Sequence, residues 1–62
     1  MYKAMAKSSF GVQKTNGTVS HFTKEKVYDC VKRSNGNFVI KDNEGSALEL
    51  ESDDALDNFW IK

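Results

Sequence analysis

The chain has no proline, and cysteine, histidine and tryptophan each occur once. A lone cysteine, Cys30, excludes an internal disulfide; set between Asp29 and Val31 in a strand-like stretch, it reads as a small core hydrophobe. That points to a reducing, cytoplasmic setting. The only histidine, His21, has no second histidine or cysteine close in sequence, so the four ligands that a zinc site wants are not supplied and no metal is expected. Ser20-His21 and Cys30 lack a third orienting partner at any recognisable spacing, which leaves nucleophilic catalysis without support. No apolar window approaches the length that spans a bilayer, and the lysine-bearing start MYKAMAKSSF holds no sustained apolar run, so neither a membrane segment nor an export signal is expected. Repeats, low-complexity stretches and linkers are missing as well.

What remains is a single domain, residues 1–62. A chain of this length buries only about 60% of the surface it exposes when unfolded, leaving roughly a dozen core side chains and little room for a deep pocket. An enzyme site needs concavity and several convergent polar groups, so the expectation is a non-enzymatic binding module without a cofactor.

The net charge is zero but unevenly spread. Residues 1–41 hold eight Lys/Arg against Glu25 and Asp29, whereas residues 42–62 hold seven acids against Lys62. Strands from the two halves could pair and neutralise one another across a sheet, because opposite charges on facing strands attract. The other arrangement is two opposed faces, one of them meeting a charged partner.

Alternation supplies the strands. Tyr2, Ala4 and Ala6 oppose Lys3, Met5 and Lys7, the pattern of a half-buried first strand with a wet lysine face that Met5 interrupts. Phe10 and Val12 share a face, Val19 and His21 resume the alternation, and Asn16-Gly17 between Thr15 and Thr18 predicts a hairpin with positive backbone angles at both central residues. From Phe22 to Leu50 three short strand patterns are separated by two glycine turns. Val27 and Val31 oppose Tyr28 and Cys30, which predicts a strand covered on both faces in mid-sheet. Phe38 and Ile40, then Leu48 and Leu50, continue the inner face between the turns at Ser34–Asn37 and Asp42–Gly45. Ser52-Asp53-Asp54 reads as a helix start, a capping hydroxyl followed by acids suited to the positive end of the helix dipole. One or two helical turns and a short last strand at Trp60–Lys62 follow, with Ala55, Leu56 and Phe59 plugging the end. The predicted inward set is Tyr28, Cys30, Phe38, Ile40, Leu48, Leu50, Leu56 and one or both of Phe59 and Trp60.

This order of elements resembles the SH3-like small barrels, which implies an all-β domain of about five antiparallel strands with one short helical turn near the C-terminus. The middle segment also resembles a pattern recurrent in small tailed-phage proteins: an aromatic, then Gly-Lys-x-Tyr leading to a strand, a turn, and a second strand ending in Asp-x-x-Gly. The matching positions are Phe22, Lys26, Tyr28, Phe38, Ile40, Asp42 and Gly45. Glu25 stands where the pattern has glycine, which predicts a different first turn. Covering roughly residues 22–50, the resemblance implies a phage-type accessory protein that docks on a host macromolecule. The polyproline binding of signalling SH3 domains is not implied, since the hairpin is basic (Lys14, His21), Asn37-Phe38 occupies the tryptophan region and proline is absent.

Two surfaces compete as binding sites. Glu49, Glu51, Asp53, Asp54 and Asp57 form the densest run of charge. They are either a solvated strand edge with helix-dipole matching or, together with Trp60, a surface that imitates nucleic-acid phosphates or docks on a basic host protein. Phe59 and Trp60 cannot both point inward from one strand, so one ring is an exposed anchor. The alternative is a nucleic-acid surface built from Lys3, Lys7, Lys14, Lys24 and Lys26 with Phe10 and Phe22 as stacking rings, against ordinary surface lysines over core aromatics. A structural subunit that works as an oligomer through an unpaired edge strand is the remaining reading.

Overall fold

A computed structural model describes residues 1–62. Its elements are β1 (Tyr2–Ala6), β2 (Phe10–Gln13), β3 (Val19–Phe22), β4 (Val27–Lys32), β5 (Phe38–Lys41), β6 (Ala47–Leu50), α1 (Ser52–Asn58) and β7 (Phe59–Ile61). Five strands form one antiparallel sheet in the order β6-β5-β4-β1-β7, and β2 and β3 form a separate ribbon. A long hairpin after the first strand, a three-strand meander, a short helix and a final strand returning beside the first make the connectivity SH3-like. β4 lies mid-sheet between β1 and β5 as expected, but cover on both faces is corrected: Tyr28 and Cys30 face the core while Val27 and Val31 are each 50% exposed on the outer face of the sheet.

Three of the turns use one device. The N–H of Lys14, Arg33 and Asp42 each donates to the carbonyl four residues on, in Thr18, Asn37 and Ser46, at 2.7, 2.7 and 2.9 Å. Within each loop the glycine N–H of Gly17, Gly36 or Gly45 donates back to the first residue's carbonyl. This is a three-residue loop, a tight turn followed by one left-handed residue. It corrects the two-residue turn expected at Asn16-Gly17: only Gly17 has positive φ, at 89°. Asn16 instead accepts from the Thr18 N–H and hydroxyl through Oδ1 at 3.1 and 2.7 Å.

The turn at Thr23–Lys26 closes with Lys26 N–H donating to Thr23 O at 3.1 Å, and Glu25 there has φ 67°. Glutamate therefore occupies the left-handed region that favours glycine. The Glu25 N–H donates to Ala6 O and the Ala6 N–H to Lys26 O, at 2.8 and 3.2 Å, pinning the turn to β1.

The core is Ala4, Ala6, Phe22, Tyr28, Cys30, Phe38, Ile40, Leu48, Ala55 and Phe59. Phe22 is its hub, stacked on Phe10 at 5.3 Å and edge-to-face with Tyr28 and Phe59 at 5.0 and 5.1 Å. The Tyr28 hydroxyl accepts from Thr23 N–H at 2.7 Å and donates to Asn43 Oδ1 at 2.5 Å, so this ring is buried with its polar end satisfied. Leu56 departs from the predicted inward set, being 48% exposed, because the two-turn helix presents only Ala55 to the core. Leu50 is half-buried at the sheet edge. On β7 the strand alternation sends Phe59 inward and Trp60 outward. The helix also begins differently from its sequence signal. Ser52 is its first residue, Glu51 is the N-cap without a side-chain hydrogen bond, and only Asp53 and Asp54 match the dipole as expected.

Candidate functional site

The side chains pointing away from the core on β7, β1 and β4 line up across strands. Met5 faces Val27 on one side and Trp60 on the other, giving an apolar row Trp60–Met5–Val27. Lys3 faces Asp29 in the next row, and Lys3 and Lys62 exchange backbone hydrogen bonds at 2.8 and 3.0 Å. Together Lys3, Met5, Val27, Trp60 and Lys62 line an open depression of about 430 Å³. Trp60 is 55% and Val27 50% exposed, so a continuous stretch of hydrocarbon lies uncovered on this face.

Positive charge surrounds this apolar row. Lys7 Nζ sits 5.6 Å from the centre of the Trp60 ring and donates to Leu56 O at 2.9 Å. Lys3 Nζ is bonded to Asp29 at 2.5 Å. That hydrogen bond and the charge of Lys3 hold the Asp29 carboxyl below the usual range, with Lys41 adding and slight burial opposing. The carboxylate in the row is thus already compensated.

The five acids expected to work with Trp60 sit on β6 and along α1, which runs directly into β7. Glu49 is on β6, where it accepts from Asn37 Nδ2 at 2.9 Å and faces Arg33 Nε at 3.8 Å. Glu51 caps α1, which carries Asp53, Asp54 and Asp57, and all are exposed. None of the five lines the depression. Of the basic set, Lys3 and Lys7 flank Trp60, Lys24 and Lys26 belong to the turn after β3, and Lys14 belongs to the β2–β3 loop. Lys14 lines a second depression, of about 350 Å³, between that loop and β6. The rings assigned to stacking are turned inward: Phe22 is buried and Phe10 half-buried against the core.

The row that sequence reasoning missed had its signals in separate places. Met5 breaks the lysine face, Val27 lies opposite Tyr28, and Trp60 lies opposite Phe59, but only the register that sets Met5 between Val27 and Trp60 makes them one surface.

β7 is also a free edge. Facing residues of an antiparallel pair alternate between hydrogen-bonded and non-bonded. Because Lys62 bonds to Lys3, Trp60 bonds toward β1, while Phe59 and Ile61 turn their backbone groups outward. The Phe59 N–H is used by Ala55 O, leaving Phe59 C=O and both groups of Ile61 without a backbone partner.

No other chemistry converges. No group of three or more His, Cys, Asp or Glu side chains is placed to hold a metal ion. Cys30 is fully buried, and burial pushes its thiol pKa up, away from the reactive thiolate. No helix is long and apolar enough to cross a membrane. No family model, curated protein or solved structure matches the chain.

Proposed function

We propose that this chain is a non-enzymatic binding module of the small phage-accessory type, which docks on a host protein in the cytoplasm and modulates it by occlusion. The observation carrying this reading is the exposed Trp60–Met5–Val27 row. Tryptophan supplies large, rigid contact area and is enriched at interface hot spots, and an adjoining methionine and valine extend the anchor into a patch. The resemblance of the segment from Phe22 through Gly45 to a pattern of small tailed-phage proteins supports the accessory-protein part of the reading.

The test is affinity capture from bacterial lysate with immobilised wild type and a Trp60→Ala variant that melts like wild type. Because Trp60 is exposed, the variant should fold, and it should lose the captured protein. Equal capture by both chains would move the interface away from this face.

A nucleic-acid-binding barrel is the second reading, favoured by the lysines beside an exposed ring. Against it stand the zero net charge and the inward placement of Phe22. A titration with single-stranded oligonucleotide at increasing salt separates the two, since each neutralised phosphate makes binding more salt-labile.

A further inference from the structure

We infer that the partner meets this face with an acidic, extended segment that seats an apolar side chain on Trp60, an inference that rests on the docking reading above. Three ammonium groups, those of Lys3, Lys7 and Lys62, rim or overhang the depression. The only carboxylate in the adjoining row, Asp29, is already bound by Lys3. A partner that carried lysine or arginine onto this surface would meet like charge, whereas carboxylates would find Lys7 and Lys62 without a carboxylate partner of their own. The chain's own acids are held on β6 and α1, off the lining of the depression, so they do not satisfy these lysines from within.

The geometry also favours an extended backbone. Ile61 presents an N–H and a carbonyl on the open edge of β7, next in sequence to Trp60, and a strand laid there pairs with them. Side chains of a strand alternate between faces. Lys3, Met5 and Lys7 share parity on one strand and Trp60 and Lys62 on the next, so a segment with an apolar and an acidic residue two positions apart would place its hydrocarbon against Trp60 and its carboxylate toward the lysines flanking the ring.

The probe is a terminally blocked synthetic peptide repeating Leu-Thr-Asp-Thr, which puts leucine and aspartate on one face of a strand, with a Leu-Thr-Lys-Thr repeat as control. Trp60 is the only tryptophan, so indole emission reports on this surface alone. The acidic peptide should shift Trp60 emission to the blue in a saturable way, and the lysine peptide should not. Raising salt to about 1 M, where the screening length falls to about 3 Å, should weaken binding at least tenfold. Lys62→Glu and Lys7→Glu should each weaken it about fivefold or more, the loss expected when one favourable charge contact becomes repulsive. Lys62→Glu leaves every side-chain hydrogen bond of the chain in place, so it remains informative if the loss of the Lys7 bond to Leu56 O disturbs α1.

Equal binding of the two peptides, or no change in Trp60 emission with the acidic one, overturns the inference. Tighter binding of a single-stranded oligonucleotide than of the acidic peptide at physiological salt assigns the face to nucleic acid and also overturns it. Self-association of the chain that displaces the peptide overturns it in favour of a second copy. The two levels fail separately. Capture that survives Trp60→Ala removes the docking surface, whereas capture lost in Trp60→Ala but retained in Lys62→Glu and Lys7→Glu keeps the surface and removes the acidic partner.

Discussion

Replacing Glu25 by glycine is expected to stabilise the domain, although it deletes a whole side chain. Glu25 has φ 67°, where the Cβ of an L-residue crowds the following carbonyl at a cost of about 1–2 kcal/mol. Its side chain is exposed and makes neither a hydrogen bond nor an ion pair that would be lost. Its backbone N–H, which donates to Ala6 O, is retained in the variant. Against the relief stands the extra freedom of glycine in the unfolded chain, about 0.5–1 kcal/mol. The difference leaves a net gain of roughly 0.5–1 kcal/mol, or a rise of about 2–8 °C in Tm for a domain of this size. Thermal unfolding followed by circular dichroism reads this directly. Glu25→Ala, which keeps the Cβ and removes the carboxylate, should show no such rise. The mirror-image control is Gly36→Ala: φ is 92° there and nothing lies within 4 Å of an added Cβ, so any loss of stability is conformational. A Glu25→Gly variant less stable than wild type, or Glu25→Ala rising equally, would refute the strain account of this turn.

Ile40 is fully buried in β5 between Cys30 and Leu48, and Ile40→Ala should cost about 2–5 kcal/mol, enough to unfold much of a 62-residue domain; a cooperative melt with unchanged midpoint would break the register assignment. Acid should destabilise the fold through Asp42 and Asp29. Burial works against the charge of Asp42, but the N–H groups of Ser46 and Glu44, which donate to its Oδ1, and the charge of Lys14 outweigh it, and both carboxyls titrate below their ordinary value of 3.8. In the interval between folded and unfolded values the unfolded chain binds more protons. The stabilisation is therefore full above the ordinary aspartate pKa and is lost as pH falls through the lower folded values. Asp42→Asn should flatten that acid slope, and an unchanged slope in a urea series at falling pH would show that Asp42 is not responsible.

The inner face was legible because alternation needs only the parity of a strand. Tyr28, Cys30, Phe38, Ile40 and Leu48 occupy the positions their spacing predicts. Leu56 failed because it was placed by hydrophobicity alone, on a helix too short to bury more than one position. Phe22 was undervalued for a related reason: its neighbours in sequence are polar, and its burial comes from Phe10, Tyr28 and Phe59 on other elements. Ser52 failed by one residue, a shift that composition does not resolve, since Glu51 and Ser52 both precede the acids of the first turn. The outward row was hidden for a stronger reason. Each of Met5, Val27 and Trp60 is an ordinary exception within its own strand, and the surface exists only through pairings separated by tens of residues.

The same long-range pairing decides how the divided charge is used. Only two ion pairs form, and of these Arg33–Glu49 joins the basic half to the acidic half, while Lys3–Asp29 lies wholly within the basic half. Cross-strand neutralisation therefore accounts for little of the asymmetry, and Asp53, Asp54 and Asp57 stay unpaired on α1 immediately ahead of Trp60. Lys7 ties the two regions together by reaching Leu56 O from a position over the indole ring. A docking segment lying on Trp60 thus meets lysines at the depression and carboxylates along the helix that leads into it. Charge of one sign extended over many residues, as in a nucleic-acid strand, would be drawn by the first group and repelled by the second. A short acidic stretch confined to the depression gains the attraction and avoids α1, which is the physical ground for preferring a protein segment to a polyanion on this face.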